Sequence, residues 1–277
     1  MGYTIEETRQ RLDKDNAFIK AIDEICKDGG RTFANAFEDW LDFMLGVFCG
    51  NPSDRQKQLH EEARKQPELW SAYWTAFRLY GEAAEDYHDP FGAPFMERIS
   101  HGQNGQFFTP ENICELMAES VEPSADTISD PCCGSGRLLL AGLKTARANG
   151  KEPEIVACDL TSLCSRMTLM NLLINTAHGC VMCGDSLAAT TDGFTFYRID
   201  NIRRSDMADP SVGVVTSHYW QYTKDTAKDT ETFRMMWYLK MREHGVRYFM
   251  PTSMVEDVVE ALPTEIIKEE NGQLRLF

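Results

Sequence analysis

The chain has 277 residues, 43% of them hydrophobic and 10% aromatic, with 19 Gly and 11 Pro, which excludes an intrinsically disordered chain, a collagen-like repeat and a peptide-sized scaffold. Its 28 Lys plus Arg against 43 Asp plus Glu leave a formal charge of −15, which opposes binding to a polyphosphate unless a local basic strip or a partner subunit supplies cations. The length accommodates one or two ordinary domains. No apolar run approaches the roughly 20 residues that cross a bilayer, and Met1-Gly2-Tyr3-Thr4-Ile5-Glu6-Glu7 lacks the basic and apolar regions of a signal peptide, so a cytoplasmic protein with no membrane partner is expected. The nine cysteines are then expected as reduced thiols. Cys180 and Cys183 have CxxC spacing, but no second CxxC or His pair stands at ligand distance and two strand residues three apart face opposite ways, so no metal site is expected.

The first ninety or so residues read as helical. Phe33, Phe37, Trp40, Leu41, Met44, Leu45 and Phe48 recur at intervals of three and four and form one apolar stripe, stopped by Gly50-Asn51-Pro52. Leu69, Trp70, Tyr73, Trp74, Phe77 and Tyr80 form a second stripe after Pro67, and Phe18, Ile22, Ile25 and Cys26 a weaker one before both. At this spacing the aromatics predict packed core or a subunit interface rather than a base-stacking surface. Pro, Gly and polar residues from Asp89 to Gly105 mark a boundary or crossing loop.

A different pattern follows. Thr109-Pro110-Glu111 opens a helix that runs to Pro123; a strand ends at Asp130; a helix follows Gly136 as far as Gly150; and Glu154 to Asp159 is a second strand. A helix through Leu163, Met167, Met170 and Ile174 should close at Gly179, before a third strand at Cys180 to Cys183. Strand, helix, strand, helix, strand predicts a parallel, doubly wound sheet. Beyond residue 190 the expectations are a strand at Val212 to Val215, a helix from Glu231 to Glu243 and a strand from Val246 to Met250.

In such a sheet the ligand lies outside the carboxyl ends of the strands. The first of these turns is Asp130-Pro131-Cys132-Cys133-Gly134-Ser135-Gly136. It is not a Walker loop, because Lys-Ser or Lys-Thr is absent, and it is a poor dinucleotide fingerprint, because Leu139 stands where a third glycine should be. Asp130 would repel a pyrophosphate and attract an ammonium or sulfonium. Asp159 could accept from both hydroxyls of a ribose, and Asp185, in Gly184-Asp185-Ser186-Leu187, from the amine of an adenine. Together these ends outline S-adenosylmethionine. A nicotinamide-dependent oxidoreductase is the weaker rival.

Gln106-Phe107-Phe108-Thr109-Pro110, the Asp130 to Gly136 turn, Asp159-Leu160 followed by Asn171-Leu172, and Gly184-Asp185-Ser186-Leu187 together resemble the amino-group DNA adenine methyltransferases, specifically the modification subunits of type I restriction systems. The resemblance implies an α/β fold: a doubly wound, Rossmann-like methyltransferase core at 96–277 behind a helical N-terminal domain at 1–95. It implies that Gln106 to Pro110 cover the cofactor, that Asp130, Pro131, Cys132, Gly134, Ser135 and Gly136 hold its methionine end, Asp159 and Leu160 its ribose, and Asp185 and Ser186 its adenine. Phe107 or Phe108 could also face the sulfonium. It further implies DNA as substrate, read through a partner specificity subunit in a restriction-modification complex.

The family holds the flipped base with Asn-Pro-Pro-aromatic, and this sequence has no Asn-Pro-Pro. Asp200-Asn201 or Ser217-His218-Tyr219-Trp220 could stand in its place, so the catalytic residues stay unassigned. The departure leaves open a catalytically silent cofactor-binding homologue that acts as a regulatory or decoy interaction protein.

Overall fold

A computed structural model describes residues 4–27, 30–100, 107–120, 126–187, 194–202, 216–222, 267–270 and 273–276. The N-terminal layer is built from α1 (Ile5–Lys27), α2 (Phe33–Phe48), α3 (Asp54–Arg64) and α4 (Pro67–Ala83). Local chemistry sets their starts: the Thr32 side chain accepts from the Asn35 N–H before α2, Ser53 and Gln56 form a reciprocal capping box before α3, and Pro67 occupies the first turn of α4. The aromatic stripes face inward. Trp40 is fully buried, donates its indole N–H to the Tyr73 carbonyl at 3.1 Å, and lies among Phe18, Tyr80 and Phe91, with Tyr80 stacked on Phe91 at 4.7 Å between centroids. These rings are core, because burying them and satisfying the indole together beats leaving them on a surface.

After a one-turn helix, α5 (Gly92–Pro94), and a π-helical turn at Phe95–Ser100, the chain reaches α6 (Glu111–Ser120) and the sheet. Strands β1 (Thr127–Asp130), β2 (Glu154–Asp159) and β3 (His178–Cys183) are parallel, linked by α7 (Arg137–Ala148) and α8 (Ser162–Ile174). Gly150, at φ +72°, follows the Asn149 cap of α7 in the left-handed conformation that ends a helix, as its sequence position predicts. Strands β4 (Thr195–Ile202) and β5 (Thr216–Tyr222) extend the sheet beyond β3, and both pairings are antiparallel. The order is β1-β2-β3-β4-β5, with a separate hairpin of β6 (Ile267–Glu270) and β7 (Gln273–Leu276). The α/β expectation therefore holds for three parallel strands and is extended by two antiparallel ones.

Two details differ from the sequence reading. The α8 helix ends at Ile174, with Asn175 as its cap and Thr176 in the left-handed region at φ +51°, so Gly179 does not terminate it. Gly179 lies inside β3, where an added β-carbon would stand 1.9 Å from the Ile155 carbonyl oxygen of β2; its small size serves strand approach. Cys180 sits on one face of the sheet with Val156, Cys158 and Met182, while Cys183 packs against the core on the other, as alternation requires. The expected elements at Val212 to Val215, Glu231 to Glu243 and Val246 to Met250 lie outside the described residues.

One continuous apolar core runs from the N-terminal helices into the sheet, joining Phe37, Trp40 and Tyr80 to Leu139, Ile155, Met170 and Tyr219. The far edge of the sheet is closed by the loop after α2. The Gly50 N–H donates to the Tyr219 carbonyl at 2.9 Å, Asn51 exchanges two hydrogen bonds with the Gln221 backbone at 2.7 and 2.9 Å, and Gln56 donates to the buried Tyr219 hydroxyl at 2.8 Å. No helix among the described residues is long and apolar enough to cross a membrane.

Gly179→Ala tests the strand contact. It should destabilise the protein by at least about 2–3 kcal/mol in urea denaturation, since the backbone oxygen it meets cannot swing away. A midpoint unchanged from the parent would contradict the packing described.

Candidate functional site

The carboxyl ends of β1, β2 and β3 lie side by side, and backbone hydrogen bonds lock their turns together. The Cys133 N–H donates to the Cys158 carbonyl and the Gly184 N–H to the Asp159 carbonyl, both at 2.9 Å. The Gly134 N–H donates to an Asp159 carboxylate oxygen at 2.9 Å, while the Thr161 N–H donates to the other at 2.9 Å. The Cys132 thiol and the Ser186 hydroxyl approach to 4.0 Å across the first and third turns. Asp130, Asp159 and Asp185 thus belong to one set of adjoining turns. Asp185 is exposed and fixed by the Leu187 N–H at 2.9 Å; Asp159 is nearly buried; Asp130 is half-buried and accepts from the Cys132 N–H at 3.0 Å. Burial, and then the neighbouring Asp159 charge, push the Asp130 carboxyl above its usual range. Such a site favours a cation.

The turn itself needs its glycines. Gly134 and Gly136 have φ of +57° and +86°, and a β-carbon on Gly134 would stand 2.8 Å from the Phe108 ring. Phe108 lies over that turn, stacked on Phe95 at 5.0 Å between centroids, whereas Phe107 is 78% exposed. Leu160 and Leu187, which follow the second and third strands, are 69% and 89% exposed, so large apolar side chains border the carboxylates. Thr109 and Pro110 are exposed; the Thr109 carbonyl accepts from Arg137 at 3.1 Å, and Pro131 is half-buried beside exposed Cys132. Gln106 lies outside the described residues.

Several residues beneath the turn carry no signal in the sequence reading. Asp89, placed there in a loop, is buried and accepts from Ser135 Oγ at 2.6 Å, Arg137 Nε at 3.2 Å and Asn171 Nδ2 at 2.9 Å. The neighbouring His88 contacts Asp15 of α1 at 3.0 Å and Glu111 of α6 at 2.6 Å. Burial opposes its charge, but the hydrogen bonds to Asp15 and Glu111 outweigh that and push its pKa up to about 9. Glu111 is held below its usual range: burial opposes this, and His88 and Arg137 overcome it. The imidazolium is therefore a latch between the N-terminal layer and the helix that follows Pro110.

Neither segment expected to hold a base reaches the turns. Asn201 pairs with Ser217 in the β4–β5 ladder, while the residue of β4 beside Cys183, at the carboxyl end of β3, is Thr195. Because β4 runs antiparallel, Asn201 and Ser217 are about 20 Å along the strand toward the opposite end of the sheet. Tyr219 is fully buried against α2 and α3. The sequence pattern places both segments just after strands, whereas both lie inside strands, β4 and β5, whose direction the pattern does not reveal.

The buried thiols Cys133, Cys158 and Cys164 around the site are poor nucleophiles. Burial, and then Asp159, push Cys158 and Cys164 up to about 12, and burial holds Cys133 well above the ordinary thiol value. All the cysteines among the described residues are free, and no group of His, Cys, Asp and Glu there has the geometry of a metal site.

A family model described as N-6 DNA Methylase matches residues 95–254, more than half the chain. The chain is 32% identical over 188 residues to the type I restriction enzyme MjaIX methylase subunit of Methanocaldococcus jannaschii, an alignment that covers 66% of this chain and 33% of that subunit. It is 34% identical over 91 residues to the MjaVIII methylase subunit of the same organism, covering 31% of this chain and 15% of that one. The chain thus spans a third or less of the length of these relatives. A crystal structure from Listeria monocytogenes, provisionally described as a class I S-adenosylmethionine-dependent methyltransferase, overlaps 86% of this chain and 71% of its own at a TM-score of 0.47 and 15% identity.

The latch has a pH signature. Because the His88 pKa is raised above its unfolded value near 6.5, its stabilisation is complete below pH 6.5 and is lost as pH rises through about 9. His88→Gln should cost up to about 3 kcal/mol near pH 6 and little at pH 10, read as the difference between urea midpoints of parent and variant. A difference that stays constant from pH 6 to 10 would remove the charge from the account.

Proposed function

Because the chain belongs to the N-6 DNA methylase family, we propose that it binds S-adenosylmethionine at the carboxyl ends of β1 to β3 and transfers a methyl group to the N6 of adenine in DNA. The observation that carries the reading is the convergence of Asp130, Asp159 and Asp185 around one glycine turn under Phe108, inside the matched segment. The residues fit this cofactor. Asp130, destabilised by burial and by Asp159, gains from an ammonium or sulfonium beside it. Asp159 accepts from the Gly134 N–H on one oxygen and from the Thr161 N–H and hydroxyl on the other, which leaves the first oxygen a lone pair for a ribose hydroxyl. Asp185 can take an exocyclic amine, exposed Leu160 and Leu187 offer apolar cover to a purine, and Phe108 shields the turn from water. When bound, the cofactor supplies a sulfonium-activated methyl carbon. Gln106, Phe107, Thr109, Pro110, Pro131, Cys132, Ser135, Gly136 and Ser186 complete the binding set in this reading.

The assignment of 1–95 as a helical domain and 96–277 as the methyltransferase-like domain belongs to the same proposal. So does a cytoplasmic setting and a restriction-modification complex in which a separate specificity subunit reads the DNA. The charge of −15 supports such a partner, because a chain this acidic gains little from phosphates by itself. The register of Asn201 and Ser217, toward the opposite end of the sheet, favours other residues as the acceptors that orient the adenine amine.

Calorimetric titration should show S-adenosylmethionine binding, and labelled methyl should appear in N6-methyladenine when duplex DNA and the copurifying specificity subunit are supplied. Binding without transfer would reject the enzyme and keep the cofactor site; no binding would overturn both. Asp130→Asn keeps an oxygen for the Cys132 N–H but removes the charge. It should weaken cofactor binding on the order of ten- to a hundredfold. The ligand-free variant should melt at or above the parent temperature at pH 7, because a carboxyl whose folded pKa is raised costs stability once ionised. A lower melting temperature with unchanged affinity would show that Asp130 is structural.

A further inference from the structure

The glycine turn is held from below by a buried carboxylate, that of Asp89. Asp89 has no solvent-exposed side-chain surface, yet its two oxygens accept four hydrogen bonds, from Phe91 N at 3.1 Å and Asn171 Nδ2 at 2.9 Å on one, and from Ser135 Oγ at 2.6 Å and Arg137 Nε at 3.2 Å on the other, where Arg137 Nη2 adds an ion-pair contact at 3.1 Å. The Phe91 contact is an ordinary turn closed on its own backbone. The others come from the glycine turn, from the first residue of α7 and from α8, well removed in sequence.

We propose that Asp89 is a positioning residue for the cofactor turn: it fixes Ser135, between the two left-handed glycines, and Arg137, and so sets the backbone on which the ligand rests. That the ligand is S-adenosylmethionine rests on the function proposed above.

Three features make this more than a buried ion pair. Asn171 uses its whole amide on the arrangement: Nδ2 donates to Asp89 and, at 2.8 Å, to the Ser135 carbonyl, while Oδ1 accepts from the Tyr80 hydroxyl at 2.7 Å. Both the side chain and the backbone of Ser135 are therefore fixed by the same pair of residues. Arg137 stands at the positive end of α7, where a cation opposes the helix dipole unless an anion neutralises it. Asp89 does so, and the freed reach of Arg137 ties the Thr109 carbonyl to the turn at 3.1 Å. Finally, the path is cleared by Gly92, where a β-carbon would lie 1.9 Å from Arg137 Nη2 and 2.7 Å from Asp89 Oδ2. Removing the carboxylate leaves a serine hydroxyl, a guanidinium and an amide without their acceptor, all next to the ligand turn.

Asp89→Asn is the test, with the full chain. The amide nitrogen must face either the Phe91 and Asn171 donors or the Ser135 and Arg137 donors, so one oxygen's contacts are lost with little change of volume. Hydrogen–deuterium exchange of the ligand-free protein should accelerate about tenfold in the segment 130–137 and stay at parent rates in β2 and in α2. S-adenosylmethionine affinity should fall by about tenfold, and the Asp89→Asn and Ser135→Ala effects should combine to less than their product, because they remove the same bond. Exchange that is unchanged at 130–137, or that rises evenly through the core, would overturn the proposal. If the parent binds no S-adenosylmethionine, the functional reading fails while the exchange result still judges Asp89. If Asp89→Asn does not fold, Ser135→Ala, which deletes one donor alone, must show the same local acceleration for the proposal to stand.

Discussion

The bond from the Gly134 N–H to the Asp159 carboxylate decides the shape of the site. It joins the turn after β1 to the end of β2, and with the Cys133-to-Cys158 and Gly184-to-Asp159 backbone bonds it makes three separate strand ends one surface. A left-handed residue at position 134 is needed for that N–H to point across rather than along the chain, which is why glycine stands there and why Phe108 can settle on it. The acidity of the surface follows from the same geometry, since drawing strand ends together draws their terminal aspartates together. Burial first, and then the Asp159 charge, disfavour an ionised Asp130 in that arrangement, and a positive ligand relieves both.

Much of this was legible in the residues. Strand ends at Asp130 and Asp159, the helix between them and the inward aromatic stripes all follow from short-range patterns, because apolar period and terminal glycines are fixed by contacts within a few residues. What escaped depends on distant partners. Gly179 looks like a helix stop, since glycine after an apolar helix usually is one; its true neighbour is the backbone of Ile155, reached only once β2 and β3 pair. Asp89 looks like loop punctuation beside a proline, but the groups it serves are 46, 48 and 82 residues away. The antiparallel sense of β4 and β5 is likewise not encoded in alternation, and it moves Asn201 and Ser217 away from the place their composition suggested. Two short-range signals were available and unused: Ser53 with Gln56 marks the start of α3, and Asn271-Gly272 stands between β6 and β7.

The helical layer and the sheet are bound by two different kinds of contact. Near the turns the link is ionic and buried, through His88, Asp89, Glu111 and Arg137. At the far edge it is a set of neutral amide and hydroxyl bonds through Asn51, Gln56, Tyr219 and Gln221. Between them Trp40, Tyr80 and Phe91 fill the interior. Acid and base act on the first link and leave the second nearly untouched, and its burial shields the first from salt.

The Asn51 closure bears on how such a protein can be dissected. By occupying the amides and carbonyls along β5, the segment around Gly50 acts as a plug over a row of groups that would otherwise recruit a foreign chain. A fragment cloned from residue 96 onward would carry the sheet without its plug, and its precipitation would report an uncovered border rather than a lost activity. The two segments are therefore partners in solubility, and exchange between relatives should succeed only when both sides of that border travel together.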